Sequence, residues 1–182
     1  MIEELIAQHC APALAGIKPS NLVSCRKSEF PNIKKDITRL NSEFNGRGIY
    51  FKKVCECDKR ILLLVYRKKL LYDCLCQSEL QPLLKKCGYG GCRSLEDYIS
   101  VLSKRLTRCD FPHEIGAFLG YPINDIYGFI NHRDNGCLLV GEWRVYDNAE
   151  CAAKIFKRYK ICRNAVLKRL ESGKTLSEIF CA

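Results

Sequence analysis

Apolar residues recur along this chain at two spacings, and the switches between them mark out its elements. In residues 2–15, Ile2, Leu5, Ile6 and Cys10 fall on one helical stripe, which predicts a helix that Pro12 kinks or restarts. Leu22-Val23-Ser24-Cys25 reads as a short strand after a turn at Lys18-Pro19-Ser20-Asn21. Ile33, Ile37, Leu40 and Phe44 are spaced by four, three and four residues, so a helix runs from Pro31 to about Asn45. Asn45-Gly46-Arg47-Gly48 ends it. Ile49–Cys57 and Arg60–Arg67 then read as two strands joined tightly at Asp58-Lys59. The second strand is apolar at consecutive positions, which places it in the middle of a sheet with both faces covered.

Residues 68–87 read as helix, broken near Gln77-Ser78, with Pro82 inside a first turn; Gly88-Tyr89-Gly90-Gly91 reads as a flexible loop. Ser94-Leu95-Glu96-Asp97 carries a capping signature for a helix that runs to about Arg108. Two short helices, 112–119 and 122–132, each open on a proline. A second hairpin is expected at Leu138–Val140 and Glu142–Tyr146, turning through Gly141. The last long helix spans about 148–172, with Ala152, Ile155, Phe156, Tyr159, Cys162, Val166, Leu167 and Leu170 on one face. Lys154, Lys157, Arg158, Lys168 and Arg169 fall on the other, and Thr175-Leu176-Ser177-Glu178 starts a final turn. Hairpins mixed with helices predict an α+β protein: a small, largely antiparallel sheet packed with helices, closed by a long amphipathic C-terminal helix, in a single domain over residues 1–182.

Composition changes this picture little. Hydrophobic residues are 47% and charged residues 27%, a globular balance. The longest apolar run, Ile61-Leu62-Leu63-Leu64-Val65-Tyr66, is far below the ~20 residues of a membrane span. The acidic start, Met1-Ile2-Glu3-Glu4-Leu5, is unlike a signal peptide, so a cytoplasmic location is expected. Thirteen cysteines are present without a single Cys-x-x-Cys pair. Cys55/Cys57 and Cys74/Cys76 are two residues apart, and only the first pair lies on an expected strand, where it would share a face. In a reducing compartment most of these thiols act as small buried hydrophobes.

The net charge of +10 is uneven. Residues 1–70 contribute +7, residues 71–150 contribute −3 and residues 151–182 contribute +6. Basic ends around an acidic middle suit either a solvated lysine-rich surface or an anionic partner, whether nucleic acid, a phosphorylated ligand or an acidic protein.

Three segments carry candidate chemistry. The first brings His9, Cys10, Lys18, Ser20 and Asn21 into one otherwise small and apolar stretch. A cysteine beside a cation can act as a thiolate. In the enzyme reading Cys10 is the nucleophile, His113 the general base oriented by Glu114, and Lys18 with Asn21 holds an oxygen. In a binding reading the same groups, with Tyr121, hold a small anion or a thiophilic metal; no cofactor is specified. The bland reading is a buried cysteine, a surface histidine and a turn. The second segment, His113-Glu114, lacks the second histidine of a zinc-peptidase motif, because Ala117 stands there. The third, Ile115 to Ile130, has the outline of a helix-turn-helix turning at Gly120. Its second helix is expected to expose Asp125, contains Gly128 and has no Lys or Arg before Arg133, which argues against DNA reading by this pair. An adaptor using it, or using the basic face of the 148–172 helix for nucleic acid or protein, is the third class.

Four stretches together carry a resemblance: His9-Cys10-Ala11-Pro12 with Leu14 to Leu22; Leu64-Val65-Tyr66-Arg67; Phe111-Pro112-His113-Glu114-Ile115-Gly116 with Leu119-Gly120-Tyr121-Pro122 and Gly128-Phe129-Ile130; and Gly141 to Tyr146 around Trp143. The chain resembles, over its whole length, the bacterial family called domain of unknown function 3793. The resemblance implies a single bacterial cytosolic domain, and it implies no reaction and no catalytic residues.

Overall fold

A computed structural model of the chain describes residues 1–107, 111–133 and 135–181. Helix α1 (Ile2–Leu14) leads through a glycine turn into strand β1 (Ser20–Arg26), then helix α2 (Ile33–Phe44) and the hairpin β2 (Ile49–Glu56) and β3 (Arg60–Arg67). Helices α3 (Lys68–Leu75), α4 (Gln81–Leu84), α5 (Leu95–Leu106), α6 (Ile115–Phe118) and α7 (Ile123–His132) follow. A two-stranded ribbon, β4 (Leu139–Val140) and β5 (Arg144–Val145), precedes α8 (Ala149–Glu171) and α9 (Leu176–Phe180).

The main sheet has the order β1-β3-β2 and is antiparallel throughout. β3 is central, as its unbroken apolar run requires. Ile61, Leu63 and Val65 point to one face, with Val23, Ile49 and Phe51, against α1, α2 and the C-terminal half of α8. Leu64 and Tyr66 point to the other, with Val54, against α3 to α6. The result is an α+β fold in which helices cover both faces of a small antiparallel sheet. A third, smaller cluster joins Trp143 and Val145 of the ribbon to Ala152 and Tyr159 of α8.

Several boundaries depart from the sequence reading for identifiable reasons. β1 starts at Ser20, because Ser20 and Asn21 pair with Tyr66 and Val65; they are strand, and the turn lies before them. Pro12 stays inside α1, in its last turn, where its missing N–H takes one bond, that to the Gln8 carbonyl, out of the helix. The expected flexible loop at Gly88–Gly91 is pinned by Tyr89, which is buried among Tyr98 and Phe118. The capping box at Ser94 and Asp97 forms as expected; the end near Arg108 lies outside the described residues. The open edge of β2 is blocked by Asn41 of α2, whose amide donates to the Phe51 carbonyl at 2.9 Å and accepts from the Phe51 N–H at 2.9 Å. That side chain stands where a foreign strand would pair.

Candidate functional site

The N-terminal candidates separate once the chain folds. His9 is exposed on α1, whereas Cys10 is fully buried one residue on, in the core beneath that helix. Burial pushes the Cys10 thiol well above its ordinary range, and the nearby Lys18 charge offsets only part of this. The thiol is therefore held protonated, the wrong state for a nucleophile. Ser20 and Asn21 point to opposite faces of β1. The Ser20 hydroxyl donates to the Phe118 carbonyl at 2.7 Å, tying β1 to α6. Asn21 is buried, and its Oδ1 has no hydrogen-bond partner among the described residues.

Glu114 is not an orienting group for His113. It is buried, accepts from the Tyr89 hydroxyl at 3.1 Å, and takes a two-pronged contact from Arg105, with Nη2 at 3.1 Å and Nε closer still. This is a structural ion pair that locks the start of α6 to α5. His113 points outward and meets the Phe129 ring edge to face, centroids 5.1 Å apart. Cys10 belongs to the core under α1, and Ile115, two residues from His113, to the core on the opposite face of the sheet. The fold does not bring the proposed nucleophile and base together. Among the described residues, no three His, Cys, Asp or Glu side chains gather into a metal-holding group.

Lys18 and Tyr121 do meet. Lys18 is only 3% exposed, and its Nζ lies 5.1 Å from the Tyr121 ring centre and 5.6 Å from that of Tyr159. Burial pulls its amine down to about 8; the Glu142 charge opposes this, and Arg163 adds to it. Burial likewise raises the Tyr121 hydroxyl to about 12. That hydroxyl donates to the Glu142 carbonyl at 3.1 Å, and the ring stacks on Trp143 at 4.9 Å.

From Tyr121 the site continues into a cleft that sequence reasoning missed. It has a volume of about 280 Å³ and lies between α6, α7 and the β4–β5 ribbon. Its walls are Ile115, Tyr121, Ile126, Phe129 and Trp143, with Phe111, His113, Asp125 and Arg144 completing the lining. Gly116 forms part of the floor: a Cβ there would come within 2.9 Å of Ile126 and 3.2 Å of the Tyr121 ring. Asp125, expected on an exposed helix face, is 3% exposed. Its carboxylate accepts from Trp143 Nε1 at 2.6 Å and from the Tyr146 and Asp147 N–H groups at 2.7 and 3.0 Å. Asp125 is thus the anchor that holds the ribbon on α7 and sets the Trp143 ring in the cleft wall. The same packing takes the Asp125–Gly128 side of α7 away from any DNA contact, because the ribbon covers it. The chain's single tryptophan, beside Gly141-Glu142, was the available signal, but nothing local tells which helix it packs on.

A larger, shallower depression of about 540 Å³ lies beyond α7. Asn124, Asn131, His132 and Asn135 line it, and all four are exposed to water. A ligand there would desolvate little apolar surface, so the aromatic cleft is the stronger candidate.

Fold and site define an α+β protein with helices on both sheet faces and an aromatic cleft where the helix pair meets the ribbon. The chain belongs to the family described as protein of unknown function (DUF3793), which it matches over residues 6–180. No curated protein and no solved structure matches it. No helix among the described residues is long and apolar enough to cross a membrane.

Proposed function

We propose that the protein binds a small, flat, largely apolar molecule in the cleft between α6, α7 and the ribbon. The observation that carries this reading is the lining: Tyr121, Phe129 and Trp143 surround the space, and Phe111 beside it is left 53% exposed. An aromatic wall open to water is the surface a ring-containing ligand covers favourably. The volume suits one or two fused rings, near the lower end of ligand sites at roughly 300 Å³. His113 stands at the cleft as a polar contact for one substituent. Of the expected site residues, His113 and Tyr121 act as ligand contacts and Lys18 backs the Tyr121 ring. Among the described residues the lining contains no cysteine.

Trp143 makes the test direct, because it is the only tryptophan and it lines the cleft. Benzoate, naphthalene-2-carboxylate and their neutral amides would be titrated by ligand-observed NMR and by Trp143 emission. A saturable response is expected for at least one ring system. Phe129→Ala should weaken it about fivefold to tenfold, the value of one aromatic contact. No saturable response from folded protein, or one that Phe129→Ala leaves unchanged, would sink the proposal.

A further inference from the structure

The C-terminal helix carries a charge pattern that the cleft does not use. On α8, the dipeptide Lys157-Arg158 recurs as Lys168-Arg169, eleven residues later. Eleven residues are about three helical turns, so the two pairs lie on the same side, roughly 16 Å apart along the axis. Between them, on that side, stand Ile161, Asn164 and Ala165, all uncharged. All seven of these residues are exposed. The opposite side holds Ala152, Tyr159 and Val166, which bury the helix against the body. The ion pairs made by α8 use other cations, Lys154 with Glu150 and Arg163 with Glu142. Lys157, Arg158, Lys168 and Arg169 have no carboxylate partner among the described residues.

Two pairs of unpartnered cations astride a strip of small or uncharged side chains match one target well. The major groove of duplex DNA is about 12 Å wide between two walls of phosphate, a gap that a helix lying across it can bridge with two cation pairs about 16 Å apart. We propose that α8 lies across the major groove of duplex DNA, with one Lys-Arg pair on each phosphate wall and Ile161, Asn164 and Ala165 over the gap between them. Ala165 permits close approach. An acidic protein surface would reward cations along the whole strip and gives no reason for the uncharged middle. This surface stands apart from the aromatic cleft, and the two proposals fail independently.

The test is fluorescence anisotropy of a labelled 20-base-pair duplex titrated with the full chain. Four phosphate contacts predict a slope of about −3.6 in log affinity against log salt, or about 150-fold weaker binding at 200 than at 50 mM salt. Lys168→Ala with Arg169→Ala should reduce the slope by about two. Lys160→Ala, exposed but off this side, should leave it unchanged. A single strand of equal length should bind at least tenfold more weakly, since it lacks two walls. The proposal is overturned by no duplex binding at 50 mM salt, by equal affinity for the single strand, or by binding that survives alanine at all four positions. Retention on polyglutamate without duplex binding overturns it in favour of an acidic protein. The four positions are exposed, and matched thermal melts would show that the variants fold.

Discussion

Lys18 is a cation placed where water hardly reaches it, between two tyrosine rings. The faces of the rings attract the charge, but they do not replace the lost hydration, and the amine falls to about 8 from 10.5. Below pH 8 the amine is charged in both folded and unfolded chains, and folding bears the full desolvation cost, on the order of 3 kcal/mol. Between about pH 8 and 10.5 the unfolded chain holds more protons, so this contribution to stability rises with pH. Lys18→Met should therefore be more stable than the parent at pH 7, by up to about 3 kcal/mol, with the difference gone near pH 10.5. Urea unfolding of both proteins across this range checks it. Buried thiols such as Cys25, raised to about 11, pull stability the other way, but they are shared and cancel in the comparison. Parallel curves would show that Lys18 is solvated.

Helix α7 shows how one element acquires a role that its own pattern does not announce. Its moderately apolar sequence with Asp125 and Gly128 suits a surface helix, yet both residues face the β4–β5 ribbon. A methyl group at Gly128 would overlap the Tyr146 ring, which is held in turn by its hydroxyl on the Arg133 carbonyl. Gly128→Ala gains about 1 kcal/mol of helix propensity, but the overlap costs about 1–3 kcal/mol. The expected outcome is net destabilisation in urea together with a red shift of Trp143 emission, because the displaced ribbon loosens the Trp143–Asp125 hydrogen bond. A stabilised variant with unchanged emission would mean that the ribbon is not seated on α7. By contrast, α8 was legible throughout. Its buried positions Ala152, Tyr159 and Val166 follow the apolar stripe of its sequence, and Asn148 caps it by accepting from the Cys151 N–H at 3.1 Å.

At the scale of the whole molecule, the two cores determine which of the many cysteines can react. Cys57, Cys76 and Cys151 are exposed, while Cys10 and Cys25 are buried. The Cys57 thiol is lowered by the Lys59 and Arg60 N–H groups in the hairpin turn. Brief alkylation followed by peptide mapping should label Cys57 first among the cysteines named here, and Cys10 and Cys25 only after unfolding. Labelling of Cys10 at the rate of Cys57 would show that the core under α1 is open. The sequence by itself determined the helices with long apolar stripes and the capped start of α5, which depend on neighbours within a turn, the central place of β3, whose unbroken apolar run needs cover on both faces, and the uneven charge, which is a sum over residues. Only the tertiary structure decided which polar residues sink. Glu114 follows Arg105 and Tyr89, Asp125 follows Trp143 and two backbone N–H groups, and Cys10 is covered by the sheet. It also decided that Tyr121, Phe129 and Trp143 enclose one space. These outcomes rest on contacts between residues far apart in the chain, and burial and pairing, which set the chemistry of a side chain, are properties of those contacts rather than of local spacing.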